Sequence, residues 1–220
     1  MIKQAQARHP AKYSEELMPT LKRLLRGCNL VLDPFSGTGK LKTIIPNAIL
    51  LEIEPEWAVL GGNNTIVGDA QQLPFKNNIF DAICTSPTYG NRMADHFIDH
   101  KPEKKYIRNT YRHSIGRALN ENNSGRMQWG NKYKELHIRA WGECIRVLKS
   151  TSGIFILNIS DHIRAGKRIK TSEWHKNVLV NLGLNLISET HITTKRNRFG
   201  INSKLRVDYE TIYLFKNRLR

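Results

Sequence analysis

Short apolar runs separated by polar or Gly/Pro-rich stretches set the rhythm of this chain. Asn29-Leu30-Val31-Leu32-Asp33 stops at Pro34, and Ala48-Ile49-Leu50-Leu51-Glu52-Ile53 ends on an acid and its neighbour. Thr65-Ile66-Val67-Gly68-Asp69 and Phe80-Asp81-Ala82-Ile83-Cys84-Thr85-Ser86 follow, the latter stopping at Pro87. Runs of this length and apolar density predict strands buried on both faces. Helical spacing lies between and around them. Tyr13 to Arg26 carries Leu17, Leu21, Leu24 and Leu25 on one face, with Ser14 placed as a cap and Glu15 and Glu16 in the first turn. Pro19 allows that helix to start a turn late. A short helix is expected over Glu54 to Gly61, and a longer one over Lys132 to Leu148. Gly153 to Ile159 reads as a fifth strand and Glu173 to Leu182 as a helix stopped by Gly183. Asn185 to Thr193 and Val207 to Phe215 read as two more strands, joined by a basic loop from Lys195 to Arg206. Strands alternating with helices predict a parallel α/β sheet.

One stretch breaks the rhythm. Asn91 to about Asn131 is polar and basic (Arg92, Lys101, Lys104, Lys105, Arg108, Arg112, Arg117, Arg126), with Phe97, Tyr106, Tyr111 and Trp129 interleaved. It is too long for an ordinary connection, which leaves a functional lid or a disordered insert. The whole chain shares this bias: 35 Lys and Arg against 19 Asp and Glu give a net charge of +16. Such an excess points to a polyanionic partner, because cations gain affinity by displacing counterions from phosphates. With 220 residues and 40% hydrophobic positions, the expectation is one domain over 1–220, with the insert at about 91–131 as a nucleic-acid-contacting lid. No apolar run has spanning length and Met1-Ile2-Lys3-Gln4 does not open a signal peptide, so a cytoplasmic protein away from membranes is expected. Cys28, Cys84 and Cys144 form no CxxC pair, and His96, His100 and His113 are irregularly spaced, so no metal is expected.

The strand ends carry the candidate chemistry. Gly37 and Gly39 follow the first strand, where a glycine turn lets backbone amides approach a ligand. Glu52 closes the second strand, placed for the two hydroxyls of a ribose, and Asp69 with Ala70 closes the third, placed for an adenine. Asp33 closes the first, placed for an ammonium group. Ligands of open α/β sheets bind outside the carboxyl ends of the strands, so these acids would converge. No GxGxxG and no Walker lysine pattern is present. A cationic ligand without phosphate, S-adenosylmethionine, suits such a pocket better than NAD or ATP. Cys84, inside an apolar strand, reads as core rather than as a nucleophile.

Asp33-Pro34-Phe35-Ser36-Gly37-Thr38-Gly39 resembles the first motif of the DNA amino-methyltransferases, and His9-Pro10-Ala11-Lys12-Tyr13 resembles the short motif that precedes it. Leu51 to Pro55, Gly68-Asp69-Ala70 with Leu73-Pro74-Phe75, and Phe80 to Gly90 are similar to its later motifs. The resemblance implies a Rossmann-like class I methyltransferase fold, a seven-stranded mostly parallel sheet with a C-terminal antiparallel hairpin. It implies S-adenosyl-L-methionine held by Lys12, Asp33, Phe35, Ser36, Gly37, Gly39, Glu52, Ile53, Asp69 and Ala70. It also implies methylation of an exocyclic amine, N4 of cytosine or N6 of adenine, in duplex DNA with the base flipped out. Ser86 would offer a side-chain oxygen and Pro87 a backbone carbonyl to the amine, and Tyr89 would stack on the base. Thr88 stands where the family pattern has a second proline, which lessens the rigidity of the loop. The motif order resembles the γ-type arrangement. No separate recognition domain is apparent, so the insert and the Lys195 to Arg206 loop would read sequence, with Arg92, Lys104, Lys105, Arg108, Arg112, Arg196 and Arg198 as nucleic-acid contacts. An RNA base amino-methyltransferase and a non-catalytic nucleic-acid-binding protein on a relict fold are the alternatives.

Overall fold

The computed structural model describes residues 13–90, 111–195 and 203–217. Seven strands form one sheet in the order β3-β2-β1-β4-β5-β9-β8. β1 (Val31–Asp33), β2 (Ile49–Glu52), β3 (Thr65–Val67), β4 (Ala82–Thr85) and β5 (Ile154–Ile159) run parallel. β9 (Tyr209–Asn217) lies between β5 and β8 (Leu184–Thr193), antiparallel to both. The chain is thus a Rossmann-like fold whose last two strands form the expected antiparallel pair. Because β1 sits between β2 and β4, the order reverses there, and a crevice opens beyond the carboxyl ends of β1 and β4.

Alternation along each strand feeds two cores. Val31, Leu50, Ala82, Cys84 and Ile156 face one side, where α1 (Met18–Leu24) covers them with Met18 and Leu21. Leu32, Leu51, Ile83, Phe155 and Leu157 face the other, under Trp141, Cys144 and Val147 of α4 (Asn131–Val147). A sheet covered on both faces explains why its strands read as continuous apolar runs. Cys84 is fully buried there, and burial pushes its thiol well above the ordinary range.

The Ser14 cap needed correction, and three details are added. The first helix opens as a 3-10 turn over Glu15–Leu17 before α1 begins, with Pro19 in its first turn. Ser14 makes no cap bond; its hydroxyl donates to Glu210 Oε1 at 3.0 Å instead. A small hairpin, β6 (His162–Arg164) with β7 (Lys167–Ile169), was not foreseen. Ala165 (φ 48°) and Gly166 (φ 73°) turn it, as a two-residue hairpin loop requires. Finally, the part of the insert beyond residue 110 is ordered, with α3 (Tyr111–Ile115) and a 3-10 turn at Ser124–Arg126. α2 (Pro55–Gly61) and α5 (Thr171–Asn181) complete the helices among the described residues. No helix among them is long and apolar enough to cross a membrane.

Candidate active site

The loop after β1 is built around two buried carboxylates. Asp33 is fully buried and accepts from Thr85 Oγ1 (2.7 Å), Phe35 N (3.2 Å) and Tyr13 Oη (3.4 Å). These bonds tie the ends of β1 and β4 together. Burial pushes its carboxyl up to about 7, against the lowering effect of its three donors. Asp33 therefore lies beneath the loop and does not line the cavity, where the sequence had set it to meet an ammonium group. Gly37, at φ 54°, donates its N–H to Glu52 Oε2 at 2.8 Å, and Glu54 N donates to Glu52 Oε1 at 3.0 Å. Burial raises the Glu52 carboxyl to about 8, and the nearby Glu54 adds to the effect.

Gly39 has a different reason to be glycine. Its φ is 78°, and a Cβ there would stand 2.8 Å from Leu50 Cδ1 and 3.0 Å from the Gly61 backbone, off the cavity wall. Gly39→Ala is expected to cost about 1–3 kcal/mol through strain and crowding. Urea denaturation measures this, and a cost within 0.5 kcal/mol, about what an innocuous surface change gives, contradicts the packing role.

A cavity of about 260 Å³ opens at the switch point. Phe35, Ser36, Gly37, Glu52, Ile53, Asp69, Ala70, Ser86, Pro87 and Tyr89 all line it. Seven of the cofactor candidates and all three catalytic candidates thus line one cavity. Lys12 lies outside the described residues. Phe35 stacks on His137 with ring centroids 5.5 Å apart, which fixes the loop against α4. The lining holds three carboxylates, Glu52, Asp69 and Glu210, against one ammonium, Lys40, which is paired with Glu15.

The end of the insert forms a strap over the far side of this cavity. The buried Glu54 carboxylate accepts from Asn120 N (2.7 Å) and Asn123 Nδ2 (2.8 Å) and pairs with Arg117 at 2.8 Å. Arg117 also pairs with Glu56 at 2.6 Å. Asn122 Nδ2 donates to Asp69 Oδ2 at 2.8 Å, which brings an amide beside the acid expected to meet an adenine. Asn122, Asn123 and Ser124 consequently line the cavity, and sequence reading had not picked them out.

The segment after β4 is held from many directions. Asn158 Nδ2 donates to Ser86 Oγ (3.2 Å) and Glu210 Oε2 (2.6 Å), and Tyr89 Oη donates to the same Glu210 oxygen at 3.0 Å. The Ser86 and Tyr89 hydroxyls are 3.4 Å apart. Thr88 Oγ1 donates to Ser124 Oγ at 2.8 Å. The carbonyls of Thr88, Tyr89 and Gly90 accept from Tyr133 Oη (2.5 Å), Thr171 Oγ1 (3.5 Å) and Trp129 N (3.2 Å) in turn. Among the described residues, no donor is bonded to the Pro87 carbonyl. Asn158 and Glu210 escaped the sequence reading, although a lone Asn inside the apolar strand Ile154–Ile159 was a visible signal.

A second depression, of about 760 Å³, adjoins the cavity and shares Asn122 and Leu136 with it. Arg126, Lys132, Arg139, Gln71, Gln128 and Trp129 are in its lining. The sequence-expected contacts Arg92, Lys104, Lys105, Arg108, Arg196 and Arg198 lie outside the described residues, as does the side chain of Arg112 in α3. Among the described residues, no group of His, Cys, Asp and Glu is arranged to hold a metal ion.

The sheet order with antiparallel β9 and the cavity at the switch point is a fold shared with solved S-adenosylmethionine-dependent methyltransferases. No protein-family profile matches the chain, and no curated protein matches its sequence. Solved structures do match. A TehB-like SAM-dependent methyltransferase from Corynebacterium glutamicum aligns with a TM-score of 0.53 at 12% identity, over 92% of this chain and 88% of its own. An RNA methyltransferase candidate from Pyrococcus horikoshii aligns with a TM-score of 0.51 at 12% identity, over 93% and 82%. The 4+2 cyclase SpnF aligns with a TM-score of 0.60 at 15% identity, over 93% and 81%. At such identities the shared property is the fold, which hosts more than one chemistry, so function has to be argued from the site.

Proposed function

We propose that the protein transfers a methyl group from S-adenosylmethionine to an exocyclic amine of a nucleic-acid base, with DNA as the polymer. The observation that carries this reading is one cavity lined by two sets of residues. Gly37, Glu52 and Asp69 line the cavity together with Ser86, Pro87 and Tyr89, on either side of the switch between β1 and β4.

The cavity suits the cofactor chemically. Its three carboxylates match a ligand that carries a sulfonium and an ammonium and no phosphate. Glu52 would take the ribose hydroxyls, Asp69 with Ala70 and Ile53 would hold the adenine, and the Phe35–Gly37 loop would hold the methionine end. When bound, the cofactor supplies an electrophilic methyl group. The remaining work falls to the protein. An exocyclic amine is a weak nucleophile because its lone pair is delocalised into the ring. Two acceptors placed at its hydrogens draw the nitrogen toward tetrahedral geometry and aim the lone pair. Ser86 Oγ, oriented by Asn158, is one such acceptor. The Pro87 carbonyl is the other, and the three carbonyls that follow it are each committed elsewhere. The Tyr89 ring would stack on the base, and its orientation is set by Glu210. Such positioning carries much of the catalysis without any covalent step.

Nucleic acid as substrate is supported by the net charge of +16; the depression beside the cavity adds Arg126, Lys132 and Arg139 to its lining against Glu121 and Glu135. The test is direct. The full chain is incubated with methyl-labelled cofactor and either duplex DNA or RNA, and the polymer is digested to nucleosides. Label in N4-methylcytosine or N6-methyladenine from DNA is the expected result. Label confined to RNA would replace the polymer, and label on neither, with the cofactor bound, would remove the enzymatic reading.

A further inference from the structure

Within the proposed methyl-transfer reading, we infer that Trp141, His175 and Tyr133 form a one-way hydrogen-bond relay that clamps the Thr88 carbonyl and so orients the Pro87 carbonyl. They are positioning residues: none of them lines the cavity, and Tyr133 reaches it only through its bond to the Thr88 carbonyl. The relay begins at Trp141 Nε1, which lies 2.9 Å from His175 Nδ1. An indole N–H can only donate, so His175 Nδ1 must accept. His175 is fully buried on α5 against α4, and burial, reinforced by His137 beside it, holds its imidazole well below its ordinary range. The ring is therefore neutral, and its single proton sits on Nε2. That atom lies 2.9 Å from Tyr133 Oη and donates to it. The Tyr133 hydroxyl, with its lone pair engaged, directs its own proton to the Thr88 carbonyl at 2.5 Å. Every donor in the chain has one acceptor, and no alternative direction satisfies the indole.

The position of this clamp gives it a role. The Pro87 and Thr88 carbonyls lie in adjacent rigid peptide planes joined only by the φ and ψ of Thr88, so holding the second plane leaves those two rotations as the freedom of the first. Proline would restrict the same place by locking φ covalently. Here a threonine occupies it, and hydrogen bonds from two elements stand in: Tyr133 on α4 holds the carbonyl, and Ser124 in the strap holds the hydroxyl. His137 steadies the clamp from the same helix, since its Nδ1 bonds to the Tyr133 carbonyl at 2.8 Å.

The experiment is a rescue. Tyr133→Phe deletes one hydroxyl and keeps the ring; kcat for methyl transfer is expected to fall about 10- to 100-fold through misplacement of the acceptor. The Kd for S-adenosylhomocysteine should stay unchanged, because none of the relay residues lines the cavity. Adding Thr88→Pro to the Tyr133→Phe background should restore most of the lost kcat, which a general loss of packing would not allow. Unchanged kcat in Tyr133→Phe, or a loss that Thr88→Pro leaves unrepaired, overturns the relay. Nitrogen NMR of His175 adds a readout that needs no activity: the Nε2–H tautomer is expected, and Nδ1–H contradicts the stated direction. If wild-type protein methylates no nucleic acid, the functional reading fails while the tautomer still tests the relay.

Discussion

A Tyr89→Ala variant is expected to lose about 100-fold in kcat/KM for nucleic-acid methylation, with its affinity for S-adenosylhomocysteine unchanged. Two losses combine. Removing the ring removes the surface on which a base would stack, worth about 1–3 kcal/mol per base. Removing the hydroxyl takes one donor from Glu210 Oε2, the oxygen that also orients Asn158 and through it Ser86. Tyr89→Phe separates these contributions. It keeps the ring and should lose only about tenfold, the scale of one hydrogen bond to a charged group. Steady-state kinetics on a duplex substrate, alongside calorimetry with S-adenosylhomocysteine, measures both. Full activity in the alanine variant would remove Tyr89 from the reactive centre.

Glu52 carries the second large effect. Glu52→Gln should weaken S-adenosylmethionine about 10- to 100-fold, since an amide can accept from only one of the two ribose hydroxyls and the bond it loses contributes about 1.5–3 kcal/mol once the carboxyl is ionised. The amide also fails locally, because both Glu52 oxygens already face N–H donors, from Gly37 and Glu54, and an NH₂ group would oppose one of them. Glu52 further predicts a pH dependence in the ligand-free protein. Asp33 at about 7 and Glu52 at about 8 keep protons in the folded state that the unfolded chain releases near pH 4. Stability from these groups is therefore present at low pH and lost as pH rises through their folded values. Buried His137, pushed down to about 4, and His175 and His162, both lowered by burial, act in the opposite sense, an effect that fades only above their unfolded value of about 6.5. From about pH 7 to about pH 8 the carboxyls dominate, and stability should fall by on the order of 1 kcal/mol. Denaturation at a series of pH values measures the slope, which Glu52→Gln should reduce. A flat or rising profile over that interval would sink the assignment.

The parts of the site legible in the sequence are those written by local rules. Buried runs ending at Pro34 and Pro87 marked β1 and β4, and the acids closing β2 and β3 marked the cofactor side, because strand ends of such sheets gather at one edge. What a strand-end acid does was less legible. Asp33 and Glu52 look alike in sequence, yet Thr85 from the neighbouring strand draws Asp33 under the loop while Glu52 reaches the cavity. The roles of Glu210, Asn158 and Tyr133 were hidden because each acts through partners far along the chain, even though Asn158 stands out as a lone polar residue in its strand. The order in the insert was hidden for a similar reason: its Asn120, Asn123 and Arg117 have little periodicity of their own and are held by the buried carboxylate of Glu54. Thr88 looks like a weakness in sequence because the Tyr133 hydroxyl at its carbonyl comes from a helix 45 residues further on.

The place of β9 in the sheet has a consequence for how activity arises during synthesis. Glu210, near the start of that strand, joins Ser14, Tyr89 and Asn158 across separations of 196, 121 and 52 residues. Contacts so distant in sequence carry the largest loop-closure cost and need the whole intervening chain to be made first. A nascent chain emerging as far as β5 could already present Gly37, Glu52 and Ser86, but it would lack the carboxylate that sets Tyr89 and Asn158. Methyl transfer would then switch on only once β9 has slid between β5 and β8, so the fold itself times the onset of activity to a finished sheet.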